Sequence, residues 1–154
     1  MPQADSVAPK SALIHASTVS LGPEAGIMIE GPSGSGKSRL AMALMACGAQ
    51  LVADDISLLF RTPTGLFVRA PHSISGLIEA RGLGILRTGT RRLTRITLVI
   101  GLMPGQAVPP RLPAPRQCER LGHGMAWLAG PGAAHDVQAF ARALVHRMRC
   151  ARTP

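Results

Sequence analysis

The chain has no tyrosine, one tryptophan and three phenylalanines, so aromatic residues make up only 3% of its 154 positions. Proteins that bind single-stranded nucleic acid stack bases on aromatic side chains set among cationic ones. No such interleaving occurs here, and nucleic acid is not an expected partner. Cysteine is scarce as well: Cys47, Cys118 and Cys150 are widely spaced and odd in number. That argues against a disulfide framework or a four-thiolate zinc site and points to a reducing, cytoplasmic setting. Each thiol reads as a packing or surface residue rather than a nucleophile. Long apolar runs are missing too. The longest, Ile96 to Met103, falls far short of the ~20 residues that span a bilayer, so a membrane protein is not expected. The start, MPQADSVAPKSALIH, has an acid near its front and no apolar run ending in a small-residue cleavage site; it does not read as a secretory signal.

What is present suffices for a folded core. Hydrophobic residues make up 46% of the chain and mean hydropathy is +0.21, the range of one compact domain rather than a disordered chain. Acids number eight against 17 bases, for a net charge of +9. Fifteen of those bases are arginine; only Lys10 and Lys37 are lysine. In a chain that uses arginine for positive charge, one internal lysine stands out. The basic balance fits phosphorylated ligands or an acidic protein partner, and equally plain solubility.

The expected organisation is a flexible arm over 1–10 and a single domain over 11–150. Strands are expected over Leu13–Leu21, Gly26–Glu30, Gln50–Ala53 and Thr94–Leu102, with a hairpin joining Ile56–Phe60 to Gly65–Arg69. A helix is expected over Ser38–Cys47, stopped by Gly48, and an amphipathic one over His135–Arg149. Five prolines between Met103 and Gly124 predict extended or looped chain there, with one short strand near Glu119–Leu121. Together these describe an α/β fold with a mixed β-sheet and flanking helices.

The chemistry is carried by Gly31-Pro32-Ser33-Gly34-Ser35-Gly36-Lys37-Ser38. This is G-x-x-x-x-G-K-[ST], placed between an apolar strand and a helix start, as a phosphate-cradling loop requires. The glycines let successive backbone N–H groups turn inward, and the helix N-terminus adds favourable partial charge. Lys37 suits the β- and γ-phosphates of a nucleotide and the Ser38 hydroxyl suits Mg2+. Asp54-Asp55, at a strand end, supplies two carboxylates expected to point opposite ways. One would hold the metal and the other would accept a proton from an incoming hydroxyl.

Three segments in this order resemble the HPr kinase/phosphorylase family: the loop at 31–38, L-V-A-D-D at 51–55, and L-I-E-A-R-G-L-G-I-L at 77–86. I-H-A-S at 14–17 sits where that family has a histidine-bearing strand. R-L-P-A-P at 111–115 and the last helix resemble its short, alphaproteobacterial form, which lacks a separate N-terminal domain. The resemblance implies a P-loop kinase domain of the HPr kinase/phosphoenolpyruvate carboxykinase type. It implies Mg-ATP-dependent phosphorylation of a serine on HPr, the phosphocarrier of the sugar phosphotransferase system, with inorganic phosphate able to reverse it. It implies Asp54 as general base, His15 beside it, Lys37 on phosphate, Arg81 on phosphate or on the signature loop, and Ser38, Asp55 and Glu79 around Mg2+. Homo-oligomers, hexamers in the long form, are part of the same implication.

Plainer readings stand beside these. His15 could pack at a strand edge, and Glu79 and Arg81, two apart, could form a surface ion pair. His72, His123, His135 and His146 lack metal-ligand spacing, and Trp127 suits a core or interface anchor. Arg87, Arg91, Arg92 and Arg95 crowd a short stretch that could face phosphate or a partner. Gly130-Pro131-Gly132-Ala133 lacks the arginine of the long form's P-G-R-N, which weakens phosphorolysis more than kinase activity. A small-molecule kinase or NTPase, or a non-catalytic nucleotide sensor, would use the same loop.

Overall fold

The computed structural model describes residues 10–105, 110–132 and 135–151. Apart from Lys10, the expected N-terminal arm lies outside the described residues, as do Pro109 and Ala133.

The sheet is organised about β1 (Ser11–Ser20). Along one edge of its second half runs β2 (Gly26–Glu30), antiparallel, with Ala16 opposite Glu30 and Ser20 opposite Gly26. Along the other edge β3 (Gln50–Ala53) and β4 (Ile56–Thr62) follow one another, both antiparallel to β1. Ala53 stands opposite Thr18 and Ile56 opposite His15. The two are one line of strand, interrupted at Asp54-Asp55 and carrying a register shift at Val52, since Thr18 faces Ala53 but Val19 faces Leu51. Pro63-Thr64 then turns β4 into β5 (Gly65–Arg69), where φ is +147° at Gly65.

Strand β8 (Thr94–Gly101) pairs with β5 at its start and then runs parallel to β2 on one side and to β10 (His123–Ala129) on the other. β9 (Arg116–Arg120) forms the edge. The path β1–β4–β5–β8–β2 returns to β1, so these five strands form a closed hydrogen-bonded circuit within an eight-stranded sheet. β6 (Leu77–Ala80) and β7 (Gly84–Arg87) make a separate hairpin.

Two cores result, one on each face of β2. Ile27 and Ile29 meet Leu40 and Leu44 of α1 (Lys37–Ala46) and share a cluster with Leu144 and Val145 of α2 (Val137–Cys150). Met28, on the opposite face, packs with Leu59, Leu66, Val68 and Val99. Burial on both faces is why G-I-M-I, before Glu30, is apolar throughout rather than alternating. On β8 the register against β2 slips by one residue: Ile96 faces Gly26, but Leu98 faces Ile27. Thr97 is the extra residue of a bulge. It lets Ile96 join the second cluster while Leu98 and Ile100 join the first.

The expected helices occur within two residues of their bounds. Asp136 caps α2, accepting from Gln138 N at 2.9 Å and Ala139 N at 3.1 Å, worth about 1 kcal/mol. Two hairpins lie beyond the sequence expectation. The β6–β7 hairpin reads in sequence as a glycine-broken run, and its turn depends on Gly82 (φ 87°). β10 has no independent signal after the proline-rich stretch, because its order comes from pairing with β8 and from Arg116 stacked 4.0 Å over Trp127. Among the described residues no helix is long and apolar enough to cross a membrane.

Leu44 is fully buried under the sheet whereas Leu83, at the β6–β7 turn, is 78% exposed. Urea unfolding is expected to show a loss of about 2–5 kcal/mol for Leu44→Ala and a change within about 0.5 kcal/mol for Leu83→Ala.

Candidate active site

The loop joining β2 to α1 has a backbone that few sequences can follow. A Cβ on Gly31 would lie 2.5 Å from Leu102 O and 2.5 Å from Ser35 Oγ, so only glycine fits. Gly34 (φ 78°) and Gly36 (φ 97°) are left-handed with open space beside them, so conformation rather than crowding selects glycine there. Gly36 is the N-cap of α1, with no side-chain cap and no acid in the first turn. The first-turn N–H groups and the helix dipole therefore face the loop ready for an anion. Ser35 Oγ is buried and has no hydrogen-bond partner among the described residues. Lys37, only 6% exposed, lies back over the loop, its Nζ donating to Gly31 O at 2.9 Å and Pro32 O at 3.0 Å.

The acids come from the break between β3 and β4. Ile56 N donates to Asp54 O at 2.7 Å across Asp55, whose φ is +65°. This is a tight three-residue turn, a strained conformation for a residue with a side chain. It buries Asp54 (6% exposed) and leaves the Asp55 side chain 69% exposed. The two acids thus differ in burial, but they do not point opposite ways as strand alternation would have it: the side chains that meet them, Ser17 and His15, lie on one face of β1.

Each acid has its own partners. Asp54 accepts from Ser17 Oγ at 2.7 Å, from Ser38 Oγ at 2.7 and 3.0 Å, and from Glu79 N at 3.2 Å. His15 Nε2 stands 2.6 Å from Asp55 Oδ1. His15 and Ser17 are two apart on β1 and so share a face, one serving each acid. Beside the His15–Asp55 pair a cavity of about 320 Å3 is walled by Leu13, Ile14 and Ile56.

Set against the sequence expectations, the structure joins Lys37, Ser38 and Asp54 at one place. The contact it gives His15 is with Asp55 rather than Asp54, and the acid it gives Ser38 is Asp54 rather than Asp55. Glu79 reaches Asp54 through its backbone N–H while its side chain is exposed. Arg81 lies past the end of β6, in the turn, and is exposed; among the described residues it makes no ion pair with Glu79. Pro32 and Ser33 form the outer part of the loop. Ser17 was missed, although its spacing from His15 in I-H-A-S carries the signal.

Arg120 was also missed, and nothing in its neighbourhood in sequence announces it. Its Nε donates to Glu30 Oε1 at 2.8 Å and its Nη2 donates to Glu30 Oε2, fastening β9 to the residue before the loop. That hydrogen bonding holds the Arg120 guanidinium even more firmly protonated than usual, and burial pushes the Cys118 thiol up. Among the described residues no group of three or more His, Cys, Asp or Glu could hold a metal. The Ser38 hydroxyl and Asp54 carboxylate are instead hard oxygen donors side by side, a set suited to Mg2+, which keeps most of its other positions for water and phosphate.

The chain is 44% identical over 107 residues to an HPr kinase/phosphorylase of Aromatoleum aromaticum, covering 62% of this chain and 34% of that protein. It is 46% identical over 103 residues to an HPr kinase/phosphorylase of Azoarcus sp. BH72, covering 60% and 33%. It therefore spans about a third of the length of these curated relatives. The solved structure of the Hpr(Ser) kinase/phosphatase from Coxiella burnetii matches with a TM-score of 0.77 at 25% identity, over 91% of this chain and 92% of that one. The family described as HPr Serine kinase C-terminal domain matches residues 6–107, about two-thirds of the chain, and this protein belongs to that family.

Proposed function

We propose that this chain is the catalytic part of a Mg-ATP-dependent kinase that phosphorylates a serine of the phosphocarrier HPr, and that inorganic phosphate reverses the reaction at the same site. The observation that carries the reading is the Ser38–Asp54 contact at the head of a phosphate-cradling loop, with the exposed His15–Asp55 pair next to it. The reading places the protein in the cytoplasm, treats residues 11–150 as one catalytic unit, and includes self-assembly into a homo-oligomer.

In this mechanism the loop N–H groups and Ser35 Oγ receive the nucleotide phosphates. Lys37 exchanges its bonds to the Gly31 and Pro32 carbonyls for bonds to β- and γ-oxygens. Ser38 and Asp54 would hold Mg2+, Glu79 would complete its surroundings, and Arg81 would contact phosphate. The metal supplies neutralisation of the charge that develops during transfer. Asp55, rather than Asp54, is the general base. The Asp54 oxygens are buried and committed to three donors, whereas Asp55 is open to an incoming hydroxyl and is oriented by His15. As the serine oxygen bonds to the γ-phosphorus, the bond from that phosphorus to the oxygen it shares with the β-phosphate breaks and ADP leaves, while the serine proton passes to Asp55. In reverse, an oxygen of inorganic phosphate bonds to the phosphorus of phosphoserine, the serine oxygen–phosphorus bond breaks with the proton of Asp55 passing to the serine oxygen, and pyrophosphate leaves.

Intact mass of HPr after incubation with Mg-ATP tests the reading. One added phosphate is expected with the wild type and none with Lys37→Ala; no transfer by a wild type that demonstrably binds ATP would sink HPr as the acceptor. Asp55→Asn tolerates the left-handed backbone, so it is expected to fold and bind ATP while losing transfer by at least about 100-fold. Loss of transfer in Asp54→Asn with transfer kept in Asp55→Asn would instead return the base to Asp54. Asp54→Ala leaves two hydroxyls and an N–H unpaired and is expected to cost about 1–3 kcal/mol in urea unfolding.

A further inference from the structure

A second cavity, of about 330 Å3, lies away from the loop, where the end of β5, the short turn His72–Ile74 and the segment leading into β8 meet. One side of its lining is cationic and polar: Arg69, Arg92, His72 and Ser75. The other is apolar: Val52, Phe60, Ala70 and Leu93. Among the described residues no carboxylate lines it. Among the described residues neither the Arg69 nor the Arg92 guanidinium has a hydrogen-bond or ion-pair partner. Two like charges facing one cavity repel each other, and their planar forks match carboxylate and phosphate oxygens. On the apolar side Phe60 is held by stacking on Phe67, 6.0 Å between ring centroids.

We propose that this cavity is a binding site for a small organic anion, a carboxylate or phosphate head on a compact apolar body. The head lies between Arg69 and Arg92, with Ser75 and His72 donating to it, and the body lies against Phe60 and Leu93. A bare inorganic anion leaves the apolar wall uncovered and binds more weakly. The site adjoins the catalytic elements by two short routes. Val52 is two residues before Asp54 on β3. Ser75 precedes Gly76, whose carbonyl accepts from Thr88 N at 2.9 Å and so ties both ends of the β6–β7 hairpin together. Glu79, on that hairpin, donates its N–H to Asp54. An occupant at the hairpin root therefore bears on the setting of Asp54, which makes the site a candidate regulatory one.

Amide chemical-shift titration of the full chain tests this with phenyl phosphate, benzoate and inorganic phosphate as probes. Phenyl phosphate or benzoate is expected to bind saturably and to shift the amides of 69–70, 72–75 and 92–93; which binds more tightly identifies the preferred head. Inorganic phosphate is expected to bind those positions at least about tenfold more weakly. The double variant Arg69→Gln/Arg92→Gln changes two exposed side chains and is expected to weaken binding by about tenfold or more, while Lys37→Ala leaves it unchanged. His72→Trp, which obstructs the cavity, provides a second block should the double variant fold poorly. No saturable shift at 69–70 and 72–75, or shifts abolished by Lys37→Ala and retained in the double variant, would overturn the proposal.

Discussion

The site depends on one break in a strand. β3 and β4 run along the same edge of β1, and had the line continued unbroken, the two residues between them would have alternated across a pleat. Instead Asp55 is forced to φ +65° and Ile56 N closes back on Asp54 O. A residue with a side chain holds such a conformation only where its surroundings over-determine it. Here they do: Thr18 opposite Ala53 and His15 opposite Ile56 pin the chain on both sides of the turn. The strain is what separates one buried, hydrogen-bonded carboxylate from one exposed carboxylate within two consecutive residues.

The remainder of the machinery is arranged around that separation. β1 presents Ser17 to the buried acid and His15 to the exposed one, because residues two apart on a strand share a face. α1 brings Ser38 to the buried acid from the other side. The helix can do so because its dock is prepared by Ile27 and Ile29 on β2 and by Leu40 and Leu44 on its own inner face. The β6–β7 hairpin contributes through its backbone, with the Glu79 N–H completing the shell of Asp54. On the far side of the loop, Glu30 and Arg120 tie the end of β2 to a strand ninety residues away in sequence.

Much of this was legible residue by residue. The loop, both helices, the first strands and the β4–β5 hairpin follow from glycine placement, apolar runs and local propensity, all short-range signals. Arg120 and β10 were not legible for a common reason: each is defined by a partner distant in the chain. The β6–β7 hairpin is local, but its glycines break the run that would mark two strands. The apolar periodicity of H-G-M-A-W-L-A says little until β8 lies beside it, and Thr97 cannot be recognised as a bulge until β2 sets the register. The exchange of partners between the two acids belongs to the same class. Alternation along a strand predicts that Asp54 and Asp55 diverge, but it cannot say which faces Ser38 and which faces His15.

The sequence by itself therefore determined the kind of chemistry: a phosphate-cradling loop with its lysine and serine, an acid pair within reach, and an α/β frame to hold them. Such features rest on covalent and nearest-neighbour constraints, since glycine's freedom at positive φ and the helix start after the loop need no tertiary partner. Only the tertiary structure decided the division of labour. Which acid is buried, which hydroxyls it holds and which histidine meets the other all depend on the register of β3 and β4 against β1 and on the docking of α1. These are long-range pairings, and they place atoms a few ångströms apart that the chain order leaves unrelated.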